Sequence, residues 1–151
     1  MKPETIAVRR AELIDLDAIV AVEESSFDGD VMSRRSLRRY IDAPAAMMQV
    51  ATVDGVVAGY ALTSLTRGRR AARLFSIAVS SHFGRRGLGR ILLIAAEDAE
   101  RARGAKALRL EVRRDNHAAA ALYRKSGYEL FDEVADYYED GEAALRFEKT
   151  L

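Results

Sequence analysis

The sequence predicts an α/β (α+β) fold, a mixed and mostly antiparallel central sheet of about seven strands flanked by four helices. Three observations carry that prediction. The run Leu74-Phe75-Ser76-Ile77-Ala78-Val79 ends in a short polar link and two close glycines, after which Ile91-Leu92-Leu93-Ile94-Ala95-Ala96 resumes with apolar residues at helical spacing, so it reads as strand, loop, helix. Residues 47–53 and 56–66 are β-branched, apolar runs joined at Asp54-Gly55, a dipeptide that favours the two-residue hairpin turn. Residues 107–113 alternate, so Leu108, Leu110 and Val112 face a core while Arg109, Glu111 and Arg113 face away.

Taken in order, residues 5–10 alternate as a first strand, and Asp15 reads as an N-cap for a helix whose stripe is Leu16, Ile19, Val20 and Phe27. Ser33 begins a second short helix carrying Leu37, Tyr40 and Ile41, and Pro44 ends it. Its other face bears Arg34, Arg35, Arg38 and Arg39, either a solvated face or a rim that meets an acidic substrate or ribosomal RNA. Glu23, Glu24 and Asp28 lie just before it and suit an incoming ammonium group. Arg67 to Arg70 forms a turn after the hairpin. In the helix after the glycines, Leu88, Ile91, Leu92, Ala95, Ala99 and Ala102 share one stripe, Glu97, Glu100, Arg101 and Arg103 fall elsewhere, and Gly104 ends it. A last helix spans 116–126 before Gly127, and the tail folds back as strands at 128–138 and 142–149 around Asp140-Gly141. The order is β-α-α-β-β-β-α-β-α-β-β, read as one domain over residues 1–151, without repeats or linkers.

Composition narrows the chemistry. The 151 residues are 49% hydrophobic, enough to bury a core without staples. There is no cysteine, which removes disulfides, thiolate metal sites and a cysteine nucleophile, and makes the reducing cytoplasm the default compartment. His82 and His117 are too few and too far apart for a histidine metal site, so no metal is expected. A formal charge of +1 gives no global polyanion-binding character, and no direct nucleic-acid function is expected. No stretch approaches the roughly 20 apolar residues of a membrane span, and the N-terminus lacks a signal-peptide core.

The glycines after Val79 leave backbone N–H groups open at the positive end of a helix dipole, where a pyrophosphate can sit. The spacing is not that of a P-loop, because Arg90 and Ile91 come after Gly89 where lysine and a hydroxyl residue are needed. It is not a dinucleotide-binding fingerprint either, because the residue three after Gly89 is Leu92. A tight turn without a ligand is the alternative.

The ordered set Ile77-Ala78-Val79, Arg85-Arg86-Gly87-Leu88-Gly89-Arg90, Leu110-Glu111-Val112-Arg113, Asn116, Ala121-Leu122-Tyr123, Gly127-Tyr128 and Tyr137-Tyr138-Glu139-Asp140-Gly141 resembles the GCN5-related N-acetyltransferases (GNAT), and within them the ribosomal-protein alanine N-acetyltransferase (RimI) group. One departure stands out: the family pattern opens with Gln or Arg, and Gly84 holds that place, with Arg85 as the neighbouring substitute. The resemblance implies acetyl-CoA as cosubstrate, its nucleotide end on residues 85–90, and its pantetheine arm beside Ile77, Ala78 and Val79 and bonded by Asn116. It implies Glu111 as general base, directly or through a water, and Tyr123 as general acid to the leaving thiolate. Asn116 and Tyr123 are seven residues apart, close to two helical turns, with Ala119 and Ala120 between them leaving room for a slender ligand.

Other roles compete with these. Glu111 alone reads first as an ion-pair partner of Arg109 or Arg113 on its strand face, and Tyr123 alone reads as readily as a packing aromatic. The acceptor implied is a peptide N-terminus, a ribosomal protein among the candidates, attacking the thioester directly, with Tyr137 and Tyr138 beside the acceptor channel. The alternatives are a small amine, a lysine side chain, or an acetyl-CoA-binding module without turnover. An α-amine has a reference pKa near 7.7 to 8.0 against about 10.4 for lysine, so its deprotonation at neutral pH takes roughly 3 kcal/mol less.

Overall fold

A computed structural model describes residues 2–26 and 31–151. Its seven strands, β1 (Ile6–Arg10), β2 (Ala46–Val53), β3 (Val56–Ser64), β4 (Ala71–Val79), β5 (Ala107–Arg113), β6 (Glu129–Val134) and β7 (Ala144–Thr150), form one sheet in the order β1-β2-β3-β4-β5-β7-β6. All neighbours are antiparallel except β4 and β5. Four α-helices flank it: α1 (Leu16–Ser26), α2 (Arg34–Asp42), α3 (Leu88–Ala102) and α4 (His117–Lys125). The element order and strand count are those expected from the sequence.

Local chemistry explains most boundaries. Ser33 caps α2 by accepting from the Ser36 N–H, and Leu37 and Ile41 are buried one turn apart. Asp54 and Gly55 both take positive φ, 50° and 82°, as the tight β2–β3 turn requires. Asp15 departs from expectation: it closes a 3-10 turn (Leu13–Asp15), and its carboxylate accepts from the Glu12 N–H at 2.8 Å and from both Arg9 terminal nitrogens at 2.8 Å. The first tail strand also ends early, at Val134, so Tyr137 and Tyr138 lie in a loop where Asp136 takes φ 56° and Gly141 φ 89°. Phe27 and Asp28 lie outside the described residues.

Helices cover both faces of the sheet around β2, β3 and β4, while the edge strand β6 is exposed. α1 and α2 cover one, where Ile19, Val22, Leu37 and Ile41 meet Val50, Tyr60, Leu62 and Ala78. On the other face, Leu88, Leu92 and Ala96 of α3 pack on Ala51, Val53, Ala58 and Ala61. Leu93 of α3 joins Ala120 and Tyr123 of α4 over Leu108, Leu110, Val112 and Phe147. The residues off the apolar stripe of α3 are not all solvated: Glu97 is 4% exposed and Glu100 is fully buried. Glu97 accepts from the Tyr128 hydroxyl at 2.8 Å and from Lys149 Nζ at 3.1 and 3.2 Å, while Glu100 lies 3.3 Å from the Arg103 guanidinium. Paired in this way, the two carboxylates remain in an interior that an isolated charge would not enter.

Two irregularities in β4 open space along its edge and set which side chains face it. Its parallel pairing with β5 covers only Ala71↔Ala107, Ala72↔Leu108 and Arg73↔Arg109, so from Leu74 onward the two strands separate. Against β3, Thr63 pairs Leu74 and Leu62 pairs Ser76, which makes Phe75 the extra residue of a β-bulge. Phe75 stacks on Tyr40 of α2 (centroids 5.9 Å apart), and Ser76 bonds to Tyr60 on that same face.

Candidate active site

Where β4 and β5 part, a cleft of about 940 Å³ opens. β4 contributes Leu74, Phe75, Ser76 and Ile77, β5 contributes Leu110 to Arg113, α4 contributes Asn116, Ala119 and Tyr123, and the last loop contributes Tyr138, Glu139 and Asp140. Both predicted chemical residues therefore border one space. Of the expected strand contacts only Ile77 lines it; Ala78 and Val79 lie further along β4, and the Val79 carbonyl already accepts from the Ser26 hydroxyl at 3.0 Å.

Glu111 has a different set of partners from the expected pair. Arg109 bonds to Glu148, and Arg113 to Asp115 and Asp140, so neither holds Glu111. Instead Arg73 of β4 lies 3.2 Å from one Glu111 oxygen and Arg146, its cross-strand partner on β7, 3.5 Å from the other. The Glu111 side chain is 12% exposed, so it reaches the cleft as a carboxylate between two guanidiniums.

Tyr123 is packed and also turned to the cleft. Its ring meets Tyr128 edge to face and lies 6.4 Å from Phe147, which satisfies the packing alternative. Its hydroxyl has no hydrogen-bond partner among the described residues, and burial pushes its pKa up to about 12, so it stays protonated at neutral pH. Asn116 is the N-cap of α4: its side-chain oxygen accepts from the Ala119 N–H at 3.1 Å.

The glycine loop starts α3 as anticipated. Gly87 is its N-cap at φ 70°, with open space where a Cβ would stand, and Arg85 also takes positive φ, 63°. The first intrahelical bond runs from the Ile91 N–H to the Gly87 carbonyl, which leaves the preceding amides of the first turn without helical acceptors. Arg86 is committed elsewhere, bidentate to Glu4 at 2.8 and 2.7 Å, whereas Arg85 and Arg90 are exposed. Residues 85–90 lie outside the lining of the cleft itself.

Tyr138 borders the cleft and lies under the Arg113 guanidinium at 4.9 Å, whereas Tyr137 is 43% exposed and its hydroxyl accepts from Arg73 at 3.3 Å. Glu23, which the sequence offers only as an acid suited to an ammonium group, has buried partners at the opposite wall. Glu23 is 2% exposed, accepts a short hydrogen bond from the Tyr60 hydroxyl, takes the Met32 N–H at 2.7 Å, and borders the cleft with Ser76. Burial first, and the Glu23 carboxylate second, hold the Tyr60 phenol far above its ordinary pKa.

The sequence profile of the acetyltransferase (GNAT) family matches residues 15–128. The chain belongs to that family. It is accordingly an N-acetyltransferase that takes its acetyl group from acetyl-CoA. The N-alpha-acetyltransferase of Sulfurisphaera tokodaii is 30% identical over 95% of this chain and 92% of its own length. The ribosomal protein bS18-alanine N-acetyltransferase of Salmonella typhimurium is 42% identical over 58% of this chain and 57% of its own. Among solved structures, the ribosomal-protein-S18-alanine N-acetyltransferase of Escherichia coli superposes with a TM-score of 0.87 at 30% identity, covering 97% of this chain and 94% of that one. No helix among the described residues is long and apolar enough to cross a membrane.

Proposed function

We propose that this GNAT enzyme acetylates the α-amine of a protein N-terminus, in the manner of the ribosomal-protein-alanine enzymes it resembles. The observation that carries the reading is the convergence of Glu111, Tyr123 and Asn116 on the cleft between diverging β4 and β5, in a chain similar to two N-terminal acetyltransferases. Acetyl-CoA supplies the thioester that the acceptor amine attacks directly. Its slender arm suits the unpaired edge of β4 at Ile77 to Val79, with Asn116 opposite, and its phosphates suit the open amides around Gly87 to Arg90. The commitment of Arg86 to Glu4 leaves Arg85 and Arg90 as the nearby cations for those phosphates.

Glu111, held between the Arg73 and Arg146 guanidiniums, is placed to hold a water that takes the proton from an amine titrating near pH 8. Tyr123 keeps its proton and directs an otherwise unpaired hydroxyl toward the leaving sulfur. As a weaker acid than a thiol, it acts first by stabilising the thiolate through a hydrogen bond. Tyr138 borders the acceptor end, with Tyr137 behind it against Arg73.

The test is turnover of acetyl-CoA across N-terminal peptides, lysine peptides with blocked N-termini, and polyamines, with wild type and Glu111→Gln. Faster acetylation of free N-termini, lost by about 10²-fold or more in Glu111→Gln, is the expected result. A preference for lysine or polyamines would move the acceptor to another amine class, and acetyl-CoA binding without turnover would leave a binding module.

A further inference from the structure

Beside the cleft, and sharing Phe75 and Glu111 with it, lies a second basin of about 480 Å³. Arg69, Arg70, Arg73, Arg109 and Arg146 line it, against Glu111 as the single acid. The formal charge of the whole chain is +1, so this basin is a local concentration rather than a share of a basic protein. Part of its charge is balanced at the rim: Arg109 bonds to Glu148, and Arg146 lies 3.7 Å from Asp132. Arg73 divides itself between Glu111, the Tyr137 hydroxyl and the Phe75 ring. The side chains of Arg69 and Arg70 have no partner among the described residues, and both stand exposed on the turn before β4.

The other end of the site has the opposite sign. Glu23, Glu111, Glu139 and Asp140 border the cleft, with Arg113 as the only arginine among its described lining residues. An acceptor lying across both spaces therefore meets acidic groups at its head and arginines along its body. A diamine or polyamine would set its second ammonium against the arginines. A peptide with a free amine followed by carboxylates matches both ends, and arginine pairs with carboxylates in two-point geometry.

Resting on the N-terminal reading above, we infer that the arginine basin is the binding site for acidic side chains in the acceptor peptide, so that the enzyme selects N-termini followed by Asp or Glu. Charge of this kind contributes to encounter and selectivity more than to the chemical step, so it enters kcat/KM chiefly through KM.

The experiment compares peptides that begin with Ala and carry acidic, neutral or basic residues at positions two to five, under saturating acetyl-CoA. With wild type, the acidic peptide should exceed the basic one by about tenfold or more in kcat/KM, and the gap should narrow as salt shortens the Debye length below about 8 Å. Arg69→Ala with Arg70→Ala should remove most of that preference while leaving the rate on the neutral peptide unchanged. Arg69→Glu with Arg70→Glu should reverse it. Both variants change exposed turn residues, and an unchanged melting temperature verifies the fold. Equal or better use of basic peptides by wild type would overturn the assignment while leaving N-terminal acetylation intact; acetylation of no peptide at all would overturn both. Retention of an RNA oligonucleotide that depends on Arg69 and Arg70, beside indifferent peptide rates, would overturn it in favour of a nucleic-acid surface.

Discussion

Tyr123 and Tyr128 touch edge to face, ring centroids 5.7 Å apart, in one core cluster, yet their hydroxyls meet opposite surroundings. Tyr128 donates to the buried Glu97 carboxylate, which Lys149 also approaches. Tyr123 donates to nothing among the described residues and faces the cleft. A buried hydroxyl with a protein partner contributes to stability, whereas one that opens on a cleft is left for water or a ligand to complete. The difference separates two regions only one ring apart: the α3–β7 side is arranged for stability, and the α4–β5 side is left incomplete for chemistry.

The largest effect should come from the satisfied side. Glu97→Ala strips the carboxylate from both Tyr128 and Lys149, and we expect a loss of about 3 kcal/mol in urea denaturation with kcat per folded molecule unchanged. On the other side of the comparison, Tyr123→Phe should lower kcat by about 10²-fold, about 2.7 kcal/mol of barrier, without loss of stability. Wild-type turnover in that variant would return Tyr123 to packing alone. Tyr128→Phe removes one hydroxyl from a satisfied pair and should lower stability by about 1 to 2 kcal/mol, again without touching kcat. If Tyr128→Phe instead matched Tyr123→Phe in its kinetics, the division between the two rings would fail.

The smallest effect concerns pH. A phenol raised to about 12 holds its proton below that value, so Tyr123 contributes no loss of activity as pH rises toward it. The rate on a peptide should climb as the α-amine deprotonates near pH 8 and then stay level to about pH 10. A fall in kcat above about pH 9 that disappears in Tyr123→Phe would show a lower phenol pKa in the working enzyme.

The strand and helix pattern was legible because it rests on local spacing: the alternation of residues 107–113, the Asp54-Gly55 turn and the Ser33 cap all lie where the residues put them. What could not be read depends on partners distant in sequence. Glu97 looks like a solvent-facing residue until Tyr128 and Lys149 supply bonds, and Glu23 looks like a loose acid until Tyr60 does. The partners of Glu111 are set by strand order, which places β5 between β4 and β7 and so brings Arg73 and Arg146 to it rather than its own strand neighbours. Tyr137 and Tyr138 read as strand residues, yet Asp136 turns the backbone out of the sheet before them. The shared face of Asn116 and Tyr123 was legible from their spacing, whereas the placement of Glu111 beside them was legible only through the family resemblance.

The bulge at Phe75 has a consequence of parity. In an uninterrupted strand the side chains at 72, 74, 76 and 78 would share a face; here Ala72 and Leu74 sit with Ile77 on the α3–α4 side, while Phe75, Ser76 and Ala78 meet the α1–α2 side. One residue thus exchanges even for odd halfway along β4. Its first half is phased to anchor the sheet beside β5, and its second half is phased to line the cleft. Deleting Phe75 alone would leave a regular strand with Ser76, Ile77 and Ala78 on the sides they already hold, whereas straightening the bulge with Phe75 kept in the ladder would turn each residue after it to the other side.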